Sequence, residues 1–308
     1  MMKLQVMGLL VCVGVVTGCV PQASSSESVY VLDDVKRFAA LIETAEHQPT
    51  EQDIDNFYLK PGSRGVEIFT PHRIKDAHNL HQHLLANRKY YDRAATLCLP
   101  AAESIQAEAT AVLERAAMLL QQDEVAPIYV VMGAFNSGGT ASSDGLVLGL
   151  EVICNQVQTA AEARELIAAF VAHEIVHVYQ IRNVSRQMAS APTTVLSQSL
   201  VEGFADYIAE RLQGQLSSAE RERYQYVVEH EQALWNEFKT QLDSETLQPW
   251  MYAGDVNGRP ADLGYSIGKR IVAAYVANAD NETDALQELL SFSDPHEILR
   301  KSGYGLAF

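Results

Sequence analysis

The chain has 308 residues, 47% of them apolar and 20% charged. This is ordinary globular composition, which excludes collagen, a disordered polymer and a polytopic membrane protein. Its 23 Lys and Arg against 39 Asp and Glu give a formal charge of −16, so nucleic acid and anionic lipid are poor partners for its bulk surface.

In chain order, the first segment reads as a processing signal. Lys3 is the only charge before Glu27, and Leu4 to Val16 is mostly apolar. That run is too short to span a bilayer but suits a signal sequence. It ends Val16-Thr17-Gly18-Cys19, which resembles a bacterial lipobox. The resemblance implies that residues 1–18 are removed and Cys19 is lipidated. Residues 19–29 then form a flexible tether, rich in Ser from Gln22 to Ser28. Val20 follows the Cys where an Asp would be a sorting signal. By resemblance to enterobacterial lipoproteins, that implies a protein of the cell envelope, anchored in the outer membrane and facing the periplasm. Residues 30–308 are read as a single domain. Cys12 leaves with the signal, so Cys98 and Cys154 remain and could form one disulfide in an oxidising compartment.

Val31 to Ala45 carries apolar residues at helical spacing (Val35, Phe38, Leu41, Ile42) and predicts a helix. Residues 49–56 read as a polar break, and Pro61 to Gly65 as a turn. His72 to Tyr91 and Ala101 to Gln121 predict two more helices. Ala126 to Phe135 is apolar and β-branched and predicts a strand. A glycine-rich loop follows at Asn136 to Thr140. Leu146 to Cys154 predicts a second strand, antiparallel to the first. From Thr159 onward the pattern is helical. The expected fold class is α+β, mostly helical, with a small antiparallel sheet.

Thr159-Ala160-Ala161-Glu162 reads as a capping box that opens a helix. Leu166 to Tyr179 is then nearly all apolar, interrupted by His173, Glu174 and His177. Three ionisable groups on a buried helix need partners, because desolvation costs several kcal/mol each. His173-Glu174-Ile175-Val176-His177 is HExxH. Four residues are about one helical turn, so both imidazoles project from one face and can share a zinc ion. Glu174 sits beside them, where it can take a proton from the attacking water. A catalytic zinc needs a third protein ligand and one open position. The next helix, capped by Thr193 or Thr194, reads Val201-Glu202-Gly203-Phe204-Ala205-Asp206. Glu202 is the expected third ligand, and Asp206, on the same face, the expected partner of a ligand His. Gly203 is expected to let the two metal-site helices approach closely.

HExxH followed by Glu-x-x-x-Asp resembles the gluzincin metallopeptidases, the thermolysin type. Twenty-four residues, 178–201, separate His177 from Glu202, within that group's range. Nearly the whole mature chain also resembles an uncharacterised family of predicted zinc-dependent proteases, through Gly62 to Val66, Gly133 to Thr140, the two metal helices, Gly264 to Gly268 and Leu299 to Tyr304. These resemblances imply a zincin-like domain with one Zn2+ per chain and peptide-bond hydrolysis of a peptide or protein substrate. One departure from thermolysin is Val201, which replaces an Asn that would support the second His.

Gluzincins place a Tyr or His downstream as a donor to the oxyanion. Tyr265, between Gly264 and Gly268, is the first candidate, and His230, on a charged stretch, the second. Zincins also hold an extended substrate along a strand edge. The strand from Leu146, including Leu148, is the candidate edge, with Gly138, Gly139 and Thr140 as its lip. His78, His81 and His83 are read as surface histidines. The competing readings are a catalytically silent zincin-like binding or chaperone module and a non-peptide amidase of the envelope; the intact Glu174 favours an enzyme.

Overall fold

A computed structural model describes residues 28–44, 48–184, 190–216, 218–252, 258–292 and 294–306. The lipobox-like run, Cys19 and the tether as far as Glu27 lie outside the described residues. The architecture is mostly helical around one four-stranded sheet. No helix among the described residues is long and apolar enough to cross a membrane.

The strands are β1 (Tyr30–Val31), β2 (Ile128–Val131), β3 (Gly139–Ser142) and β4 (Gly145–Gly149). Their order in space is β1-β2-β4-β3. β1 and β4 pair parallel to β2, while β3 pairs antiparallel to β4. The sheet is therefore mixed, not antiparallel as expected. The short connection from β2 to β4 suggests a hairpin, yet the glycine-rich stretch inside it is itself β3. It turns back on β4 from the far side, so β4 lies inside the sheet and runs parallel to β2. The second predicted strand is also shorter than expected. It stops at Gly149, and Leu150–Cys154 is a helix.

The N-terminal helices pack on the sheet and fix the end of β2. The first predicted helix is present at Asp33–Thr44, the second begins later, at Ala77–Arg93, and the third is split into Leu99–Ser104 and Gln106–Leu119. The predicted break at 49–56 holds a short helix, Glu51–Ile54, with a capping box from Thr50. Tyr58 donates its hydroxyl to Met132 O and accepts from Met132 N, and Tyr91 donates to Gly133 O. These bonds satisfy backbone groups that have run past the sheet ladder. Cys98 and Cys154 form a disulfide with Cα atoms 5.9 Å apart, joining the segment after Ala77–Arg93 to the helix after β4.

The turn beyond β2 is held by a fully buried carboxylate. Glu151 accepts from Gly133 N at 3.0 Å and from Phe135 N at 3.2 Å. Phe135 has a φ of 56°, a strained conformation for a residue with a side chain. Burial raises the Glu151 carboxyl from its ordinary 4.5 to about 7, against the lowering effect of those N–H donors. The folded state then holds a proton that the unfolded state has lost between pH 4.5 and 7. Stability therefore falls as pH rises through that window and levels off above it, by about 3 kcal/mol. In urea unfolding across pH 4.5–7.5, wild type should lose about 3 kcal/mol relative to Glu151→Gln. A pH-independent difference between the two proteins would contradict this account of the carboxylate.

Candidate metal centre

The helix Ala160–Asn183 starts where Thr159 accepts from Glu162 N. The Glu162 carboxylate reaches back to Gln158 N, one residue before the position a capping box would use. The helix runs through the core, with Val171, Ile175 and Val178 fully buried. Its partner, Val195–Gln213, is capped by Thr194 in a reciprocal box with Ser197. Their crossing places Glu202 against the two imidazoles. His173 Nε2 and His177 Nε2 are 3.1 Å apart, and each is 3.2 Å from Glu202 Oε2.

Four-coordinate zinc with bonds of about 2.0–2.2 Å places its ligand atoms about 3.3–3.5 Å apart. The triangle is within a few tenths of an ångström of that spacing, so these three side chains fit the ion. Among the described residues no other group of His, Cys, Asp and Glu converges in this way.

The far side of each ligand is tied down. His173 Nδ1 is 2.8 Å from Asp206 Oδ1, and Arg223 donates to the other Asp206 oxygen at 3.2 Å. His177 Nδ1 is 2.6 Å from Gln180 Oε1, and the Gln180 amide donates to Val201 O at 3.0 Å. Each imidazole thus carries its proton on Nδ1 and turns Nε2 to the shared point. Glu202 Oε1, the oxygen away from the triangle, accepts from Gln198 at 2.9 Å and from the Tyr252 hydroxyl at 3.1 Å.

Burial opposes charge on all four groups, but the pairings outweigh it. His173, bonded to Asp206 and Glu202, is pushed well above the ordinary imidazole range, and His177 is raised by Glu202. Glu202 and Asp206 are held below the ordinary carboxylate range by the same histidines. Without a cation the cluster keeps protons in its place, so zinc and protons compete for the site.

The sequence pattern missed two contributors. Gln180 takes the supporting role that Val201 cannot. Its signal is a lone amide on an otherwise apolar turn, three residues after His177 and only 7% exposed. Gln180→Leu should weaken zinc binding by about 10–100-fold while the fold is retained, read by competition with a chelator. An unchanged affinity would mean that the amide does not orient His177. Tyr252 is the second. It lies outside any helix or strand with a φ of 57°, and no local pattern announces it.

The Tyr265 ring stacks on His173 at 6.2 Å between centroids, and the Arg223 guanidinium lies 4.8 Å from the centroid of the same Tyr265 ring. The Tyr265 hydroxyl neighbours that of Tyr252. Burial first, and then the charge of Glu202, raises the hydroxyls of both tyrosines well above their ordinary value, so both stay protonated donors. His230 is engaged elsewhere, stacked on Tyr226 with Nδ1 2.9 Å from its carbonyl. His78 pairs with Glu51 at 2.7 Å on the surface.

Gly203 serves a different contact from the one expected. A methyl group there would overlap the backbone of Gly268 and Lys269, and one at Gly268 would overlap Ser199. The close approach is thus between Val195–Gln213 and Leu263–Asn278, the helix that carries Tyr265.

The strand beside the cluster also differs from expectation. β4 is paired on both edges, Leu148 with Val130 on one side and with Gly139 on the other. Its backbone has no free edge, and Leu148 is fully buried, so it cannot receive a substrate. The outer strand on this side is β3, which contains Gly139 and Thr140 and, among the described residues, pairs with no strand but β4. A methyl group added to Gly139 would lie 3.9 Å from Glu174 Cδ, so this edge passes directly by the glutamate of the HExxH motif. Gly138 precedes the strand, and its carbonyl accepts from Gly149 N at 3.0 Å.

A family model described as a predicted Zn-dependent protease, DUF2268, matches residues 111–299. No curated protein and no solved structure matches the chain.

Proposed function

The chain belongs to the DUF2268 family of predicted Zn-dependent proteases, and on that premise we propose that it hydrolyses peptide bonds, with Glu174 as general base. The observation that carries this reading is the triangle of His173, His177 and Glu202 next to Glu174 and the outer edge of β3.

When bound, zinc supplies a water acidified to a pKa of about 7 and polarises the substrate carbonyl. An extended peptide adds to the β3 edge through backbone hydrogen bonds, which brings its scissile carbonyl beside Glu174. Glu174 accepts the proton of the attacking water and returns it to the leaving amine. A hydroxyl donor then stabilises the oxyanion. Tyr252 is better placed for this than Tyr265. It is half-exposed and its hydroxyl already reaches Glu202, whereas Tyr265 is packed against the core with its ring on His173. Tyr265 serves as its support. Assayed at saturating zinc, Tyr252→Phe should lower kcat by about 10²-fold with KM nearly unchanged. A full kcat in Tyr252→Phe would return the donor role to Tyr265.

The lipobox-like run and the Ser-rich tether support a further part of the proposal, that the enzyme is lipid-anchored through Cys19 in the cell envelope. The direct test of the activity is incubation of the zinc-loaded protein with a mixed peptide library, followed by mass spectrometry of the products. New termini that vanish with a chelator support hydrolysis; an unaltered library contradicts it.

A further inference from the structure

The two faces of β3 meet different chemistry. Successive side chains of a strand point to opposite faces. A methyl group on Gly139 would lie 3.9 Å from Glu174, and Ala141 borders the same cavity as His177. Gly139 and Ala141 therefore face the ligand cluster, and Thr140 faces the other way. There it meets Arg73, whose Nε donates to Thr140 Oγ1 at 3.2 Å.

Arg73 lies in the helical turn Thr70–Ile74, directly after the helix Arg64–Phe69. It is held at both ends. The Asn136 amide donates to the Arg73 carbonyl at 2.9 Å, while Thr140 accepts from its side chain. Both partners belong to the glycine-rich stretch that leads into the edge strand, so guanidinium and edge are fixed together. The bond to Thr140 uses one nitrogen of the fork. The two terminal nitrogens donate to no described residue and reach solvent. In a chain with 39 Asp and Glu against 23 Lys and Arg, Arg73 has no carboxylate partner among the described residues. Arg64, nine positions earlier in the chain, pairs with both Glu67 and Asp144.

Gly138 O accepts from Gly149 N. Bonds in an antiparallel pair alternate, so Gly139 and Ala141 turn their N–H and C=O groups to the outer edge. A peptide that bonds them places its intervening residue opposite Thr140. Opposite residues share a face, with Cβ atoms about 4.5–5.5 Å apart, so that side chain points to the guanidinium. A carboxylate there can accept from both terminal nitrogens, the fork geometry that suits arginine best. The main chain of the peptide, including a terminal carboxylate, continues in the plane of the sheet and not onto this face. The formal charge of −16 opposes acidic peptides only weakly beyond a Debye length of about 8 Å, whereas the fork acts in contact.

We propose that Arg73 is a specificity-determining residue that binds the side-chain carboxylate of a substrate Asp or Glu opposite Thr140, one residue from the position that faces Glu174. The substrate class is then peptides acidic at that position. The proposal rests on the proteolytic reading, but retention of peptides can be measured apart from cleavage.

The zinc-loaded protein is incubated with a mixed decapeptide library whose C-termini are amidated, and the products are sequenced by mass spectrometry. At one position counted from the cut, Asp and Glu should be enriched over their isosteres Asn and Gln by at least about tenfold, the scale of a charge-assisted bidentate contact. Arg73→Met should reduce that ratio to about threefold or less with zinc content unchanged. Arg73→Glu should move the preference to Lys and Arg at the same position, which a merely disrupted edge would not do. No acidic preference in wild type, or one that survives both variants, would overturn the proposal. So would a preference seen only with free C-termini, which would assign the fork to the terminal carboxylate. Immobilised, zinc-loaded Glu174→Gln protein gives the second readout, from library peptides retained and not cut. Acidic peptides retained over their amide counterparts, and lost when Arg73→Met is added, would support the proposal even if wild type cleaves no peptide, an outcome that would remove the proteolytic reading. Cleavage without any acidic preference would do the reverse.

Discussion

Replacing Glu174 by Gln should abolish measurable peptide hydrolysis and leave one zinc bound. The amide keeps the size and nearly the shape of the side chain but cannot accept the proton of the attacking water. General-base catalysis contributes about 10²–10⁴-fold, so kcat should fall by about 10³-fold. The metal should stay because Glu174 is not a corner of the ligand triangle; His173, His177 and Glu202 are. Glu174 is also no partner in the bonds that orient the ligands, which run to Asp206, Gln180, Gln198 and Tyr252. Metal analysis and a peptide assay on the same preparation check both halves. Undiminished hydrolysis in Glu174→Gln would show that another group activates the water. Loss of zinc together with activity would show that Glu174 belongs to the ligand set.

The second large effect is expected at Glu202. Removing its carboxylate by Glu202→Ala leaves two imidazoles and no anionic ligand, and frees Gln198 and Tyr252 from their shared acceptor. Zinc affinity should fall by more than about 100-fold, the upper end of what losing a merely supporting partner does. Activity at limiting zinc should vanish with it. The effect also has a direction in pH. His173 and His177 hold protons more tightly than an ordinary imidazole because of Glu202 and Asp206, and the metal must displace those protons. Zinc affinity of the wild type should therefore weaken as pH falls, with protons released on binding. Competition with a zinc-chelating dye across pH 6–8 measures both effects. An affinity in Glu202→Ala equal to wild type would remove this carboxylate from the site.

The parts of the site that were legible in the sequence are those written at helical spacing. His173 and His177 are one turn apart, as are Glu202 and Asp206, and a capped helix leaves little freedom in where four such side chains point. Gln180 is on the same helix and was within reach of the same reasoning, since an amide on a buried turn needs a partner as a histidine does. Tyr252 was not legible. It arrives from an irregular segment with positive φ, where no period relates a residue to its neighbours in space. The sheet shows the same division. β2 and β4 carry apolar, branched residues and could be recognised as strands. Their mutual direction could not, because β3, whose residues Gly139-Thr140-Ala141-Ser142 have little strand preference, is a strand only through its pairing with β4. The expected edge is thus off by one strand: Leu148, expected on it, is paired on both sides, while Gly139 and Thr140, expected as its lip, belong to the outer strand. The downstream glycines were legible as close approaches, but which helix each meets is a matter of tertiary packing. Gly203 meets Gly268 on the Tyr265 helix.

The three residues that could hold a metal and the neighbouring Glu174 all lie on one helix pair, Ala160–Asn183 and Val195–Gln213. Arg223 steadies Asp206, and Lys269, almost fully buried on the Tyr265 helix, is 2.9 Å from Glu210 on the Glu202 helix. These contacts brace the helix that carries Glu202 and Asp206, and such outer partners govern how precisely ligands are held.

The central claim is that His173, His177 and Glu202 together hold a single zinc ion. Anomalous diffraction at the zinc edge, from crystals of the purified zinc-loaded protein, tests it most directly. The account predicts one peak per chain, about 2.0–2.2 Å from His173 Nε2, His177 Nε2 and Glu202 Oε2. A peak located elsewhere, or one at the histidines with the Glu202 carboxylate turned away from it, would contradict the claim.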